Sequence, residues 1–130
     1  MQSSTIEFVD NTSTLHNFVV LNRIVELIIA DVKNIPDYNK LQRSMDLVLR
    51  ICLLIENLVF ENRIKNQPKD FKKDLAMKVF TALGWTTAEH MDFLNQSIQF
   101  LHSSGRITKV KLTRRVWSSF KSIFQKKVLN

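Results

Sequence analysis

The chain has two glycines, two prolines and one cysteine in 130 residues, and each scarcity removes a class of protein. Sandwiches and barrels turn about every 8–12 residues and use glycine and proline to do so, which makes an all-β fold a poor fit. The single thiol, Cys52, excludes an internal disulfide and any zinc site built from cysteines. It lies among apolar residues, which predicts a buried and inert thiol, and Arg50 falls on a different helix face. A chain without disulfides suits a reducing compartment.

Long apolar runs are also missing. The two best candidates are broken by Asn22, Arg23 and Glu26, and by Arg50 and Glu56. Both fall short of the roughly 18 uninterrupted apolar residues of a membrane span. The opening MQSSTIEFVDNTST has neither the basic start nor the apolar stretch of a secretory signal. The expectation is a protein that is neither secreted nor membrane-spanning.

The patterns of catalysis are absent too. His16, His90 and His102 have no metal-ligand spacing, and there is no HExxH or CxxC to recruit them. His90 and His102 stand more than three helical turns apart and cannot share an ion. No glycine-rich loop cradles phosphate and no GxSxG elbow holds a nucleophile. Asp70 and Asp74 are one turn apart, but Lys69, Lys72, Lys73 and Lys78 surround them, as on a solvated charged face. The sequence therefore predicts no catalytic residue, metal, cofactor or small-molecule substrate.

What is present is the pattern of a one-domain, all-α protein. Hydrophobic residues at 45% and charged residues at 24% are ordinary for a globular chain. Residues 1–13 are polar, with Ile6, Phe8 and Val9 as apolar points, and read as an extended N-terminal arm. Residues 14–105 read as a bundle of four helices. Thr12, Ser13 and Thr14 offer caps to a first helix carrying Phe18, Leu21, Ile24, Val25, Ile28 and Val32 and ending before Pro36.

A second helix carries two stripes. Leu41, Met45, Val48, Cys52, Ile55 and Val59 form one, and Leu47, Ile51, Leu54 and Leu58 the other. Two stripes place it at the centre of a bundle rather than in a coiled-coil seam. A third helix starts at Pro68 and ends at Gly84, with Phe71, Leu75, Ala76, Val79, Phe80 and Leu83 inward. Thr86 and Glu89 read as a capping box for a fourth, which carries Met91, Leu94, Ile98 and Leu101 to Gly105.

Charge is the least even property. Residues 1–104 hold eleven Lys or Arg and twelve Asp or Glu, whereas residues 105–130 hold eight cations and no acid. The whole excess of +7 therefore comes from the final segment. Residues 106–130 also read as an amphipathic helix. Leu112, Val116, Trp117, Phe120, Ile123, Phe124 and Val128 lie on one side, and Arg114, Arg115, Lys121 and Lys126 on the other, with Lys127 the exception. Such a helix suits a groove on a protein partner or an anionic membrane surface. Its apolar face equally suits packing on the bundle as a fifth helix.

Eight cations also fit the phosphates of nucleic acid. Sequence-specific readout is a poor fit, because the second helix of the only helix-turn-helix-like pair, Glu89 to Ser103, has no Lys or Arg and carries Glu89 and Asp92.

The stretch PKDFKKDLAMKVFTALG, a capped turn, and MDFLNQSIQFLHSSGRITKV together resemble small helical structural proteins of large double-stranded DNA viruses, of the minor-capsid type. The resemblance covers roughly residues 40–110. It implies a virion or intracellular protein that binds other structural proteins, capsid proteins among them, or an underlying membrane. It implies no functional residues. From the charge and aromatic pattern, the candidate partner-binding residues are Trp117, Phe120, Phe124, Arg114, Arg115 and Lys121, with Phe8 as an anchor in the arm.

Overall fold

A computed structural model describes residues 2–107, with side chains from residue 15 onward. Four α-helices and no strand occur among the described residues: α1 (Gln2–Lys33), α2 (Met45–Glu61), α3 (Phe71–Ala82) and α4 (Ala88–Ser103). A 3-10 turn, Tyr38–Leu41, joins α1 to α2. The all-α, bundle-like core is the architecture the periodicities predict.

The middle layer is α2 with α3. Each meets α1 on one side and α4 on the other. Both stripes of α2 are consumed: Val48, Cys52, Ile55 and Val59 are buried together with Leu47, Ile51, Leu54 and Leu58. Met45 sits at the rim and stays exposed, and Leu41 belongs to the 3-10 turn. Phe80 of α3 is fully buried at the core. Its truncation to alanine removes about 3–5 kcal/mol.

Helix ends follow local chemistry. Ser44 caps α2 by accepting a hydrogen bond from the Leu47 N–H at 3.2 Å. α1 stops at Lys33, ahead of Pro36 as expected. Helices α2, α3 and α4 all close with the same pair of backbone bonds. Ile64 N–H donates to Val59 C=O and Arg63 N–H to Phe60 C=O; Trp85 donates to Phe80 and Gly84 to Thr81; Arg106 donates to Leu101 and Gly105 to His102. Each closure needs one left-handed residue, supplied by Arg63 (φ 54), Gly84 (φ 83) and Gly105 (φ 74).

Three expectations need correction. The extended arm over residues 1–13 is not observed, since α1 is helical from Gln2. No glycine or proline interrupts this stretch, and propagating an existing helix adds one hydrogen bond for each residue fixed. Thr12, Ser13 and Thr14 are therefore interior positions rather than caps.

Pro68 is not in α3 either. Asp70 flanks the helix start, and the Pro68 carbonyl accepts from the Phe71 N–H across a preceding turn. Lastly, the cap of α4 is Thr87, one residue later than predicted, and its hydroxyl accepts from the His90 N–H at 3.1 Å. Glu89 does not reach back; it pairs with Arg43 in the α1–α2 connection.

Candidate interaction surface

Direction within the bundle locates its exposed surfaces. Near the C-terminal end of α1, Asp31 accepts from Arg50 near the start of α2, so the two helices run antiparallel. Both rise at the same rate per residue, which places Glu61, the last residue of α2, beside about residue 20 of α1. The part of α1 before that has no α2 beside it.

That stretch carries exposed apolar side chains. Leu15, Phe18 and Val19 are 63%, 57% and 59% exposed. Their spacing of three and four puts them on one side of the helix. Phe18 was expected in the inner stripe, and it does lie on the same helical line as Val25 and Val32, which are buried. The difference is tertiary. At the level of Val25 a neighbouring helix is present, whereas at Phe18 α2 has already ended.

A cleft of about 760 Å3 opens between the close of α2, the 62–70 connection and the start of α3. Val59, Phe60, Ile64 and Phe71 supply its apolar wall. Glu56 and Lys72 supply an ion pair at 2.9 Å, with Glu56 nearly buried. On the α4 side the same pair lines a second hollow of about 40 Å3, together with Cys52, Ile98, His102 and Ile107. Helix α4 therefore descends beside α2, and the chain reaches Ile107 near the middle of α2, beside Cys52 and Glu56.

The chemistry of these residues is that of packing. Burial, helped by the Glu56 carboxylate, pushes the Cys52 thiol up to about 12, so it carries no nucleophilic thiolate near neutral pH. His90 is engaged by Gln42 through Nε2 at 2.8 Å. Asp70 and Asp74 are both exposed, as on a solvated face. Among the described residues, no group of three or more His, Cys, Asp or Glu side chains is placed to hold a metal ion. No described helix is long and apolar enough to cross a membrane.

Of the predicted partner-binding residues, Phe8 lies on α1, with its side chain outside the described part. Arg114, Arg115, Trp117, Phe120, Lys121 and Phe124 lie outside the described residues, as does all of the 106–130 segment beyond Ile107. Sequence reasoning missed Leu15 and Val19, which flank the predicted inner stripe and signal nothing until the length of α2 is known. It also missed the ion pairs that join the helices, because partners such as Glu56 and Lys72 come from different elements.

No protein family, curated protein or solved structure matches this chain.

Proposed function

We propose that the chain is a non-enzymatic assembly protein that docks on other structural proteins, in the manner of a minor capsid protein within a virion. One observation supports this reading: Leu15, Phe18 and Val19 form an exposed apolar stripe on α1. Apolar side chains clustered on one helix face mark an interaction surface. The residues assigned to partner binding are Arg114, Arg115 and Lys121, with Trp117, Phe120 and Phe124 as anchors and Phe8 at the far end of α1.

The test is affinity recovery from the native source with the full chain and with a chain truncated before Arg106, washed across a salt series. A stoichiometric protein assembly held only by the full chain and stable to salt supports the proposal. The eight acid-free cations favour a second reading, a peripheral binder of anionic membrane or nucleic acid. Recovery of lipid or nucleic acid alone, lost between about 50 and 200 mM salt, replaces the first reading with this one.

A further inference from the structure

We infer that the cleft between the close of α2 and the start of α3 binds a single-chain anionic amphiphile of fatty-acid type. The chain lies against Phe60, Ile64 and Phe71, and Arg63 and Lys65 meet the carboxylate head.

Size and wall fit such a ligand. The cleft measures about 760 Å3, within the range of about 300–1,000 Å3 typical of small-molecule sites. Val59, Phe60, Ile64 and Phe71 make its wall apolar, and Phe60 is 60% exposed there. Eleven residues line it, about half of the roughly 20–30 that a standard protein interface takes from each partner. An acyl chain suits that extent better than a docked helix does.

Charge selects the head. Residues 62–73 carry five cations, Arg63, Lys65, Lys69, Lys72 and Lys73, against one acid, Asp70. Arg63 and Lys65 are exposed on either side of buried Ile64, so cations border the apolar wall. The two acids of the wall are Glu56, bonded to Lys72 at 2.9 Å, and Glu61 at the close of α2. A carboxylate beside Arg63 and Lys65 gains charge-assisted hydrogen bonds, whereas a cationic head is repelled.

Backbone strain falls on the same residues. Among the described residues, three other than glycine have a positive φ, and two of them, Arg63 (φ 54) and Asn66 (φ 62), line the cleft. The matching closures of α3 and α4 use Gly84 and Gly105, which take that conformation without strain. Arginine at this position gives up stability for a side chain, and strained residues of this kind gather at ligand sites. The inference concerns the cleft alone and stands or falls separately from partner recovery.

The test is isothermal titration calorimetry of the full chain with decanoate, kept below its micelle concentration. The expected result is saturable, one-to-one binding. Acetate, the head alone, does not reproduce it, and decyltrimethylammonium, the same chain length on a cationic head, binds about tenfold more weakly. Phe60→Ser weakens decanoate binding about tenfold and Arg63→Gly about fivefold. Arg63→Gly also raises the melting temperature, which separates lost binding from lost folding. Phe100→Ser, at an exposed site on α4, leaves the affinity unchanged. Equal affinity for the two heads overturns the inference, as does binding indifferent to both Phe60→Ser and Arg63→Gly. Amide shifts at Ile64 and Phe71 that answer an acidic amphipathic peptide and not decanoate overturn it in favour of a protein segment. Shifts at those amides that change on dilution without ligand overturn it in favour of a second copy.

Discussion

Asp31 and Arg50 join α1 to α2 through a two-pronged contact, in which Arg50 Nε and a terminal guanidinium nitrogen donate to the two carboxylate oxygens at 2.7 and 2.8 Å. The partners are unequally placed: the Asp31 side chain is 2% exposed and that of Arg50 36%. The hydrogen bond to Asp31 raises the Arg50 pKa further, against the effect of burial. Arg50 thus neutralises a carboxylate that has no access to water.

That asymmetry predicts a non-additive pair. Arg50→Met leaves a buried, unpaired Asp31 and is expected to cost about 3 kcal/mol. Adding Asp31→Leu should recover most of that loss, because the stranded charge is gone. Denaturant melts of the two single variants and the double variant check it; strict additivity would count against the buried-charge account.

The left-handed closures make a second prediction. Arg63 occupies at φ 54 the position that glycine holds at the ends of α3 and α4. Arg63→Gly is expected to raise stability by about 0.5–1 kcal/mol, the relieved strain less the extra freedom of the unfolded chain. Gly84→Ala and Gly105→Ala should each lose about 1 kcal/mol. A Cβ at either glycine meets nothing within 4 Å, so the loss comes from backbone strain alone. Thermal melts of the three variants decide this.

Cys52 gives a pH-dependent prediction. Its folded pKa, about 12, lies above that of an unfolded thiol. The unfolded state therefore releases its proton first, and stability is expected to be intact below about pH 8.5 and to decline as pH rises toward 12. Cys52→Ser or Cys52→Ala should flatten that decline. At neutral pH a thiol reagent should modify Cys52 only when the chain unfolds, at the rate seen by circular dichroism.

The cap of α4 separates two adjacent threonines. Thr87→Ala is expected to cost about 1 kcal/mol by freeing the His90 N–H. Thr86→Ala, at an exposed site outside the helix, should change stability by less than about 0.5 kcal/mol. Equal losses at both positions would restore the capping box read from the sequence.

Local rules were legible where one residue type answers one local need. Gly84 and Gly105 sit at helix ends because the closure needs a left-handed residue, and both were read as such. Arg63 meets the same need without the signature, so the end of α2 left no glycine to read. The capping error was one residue wide because Thr86 and Thr87 offer the same hydroxyl, and it is Thr87, with an extended backbone, that accepts from the His90 N–H.

By itself the sequence determined the helical class, the two-sided burial of α2 and the confinement of excess charge to the last segment. Spacing, scarce turn residues and composition are properties of the chain in order. Tertiary structure alone decided that α2 ends short of the start of α1, that Phe18 is exposed on the helical line of buried Val25, and that Asp31 answers Arg50. Those facts depend on where a second helix stops. A periodic stripe marks the face a helix offers, but only the length and direction of the facing helix determine how much of it is covered.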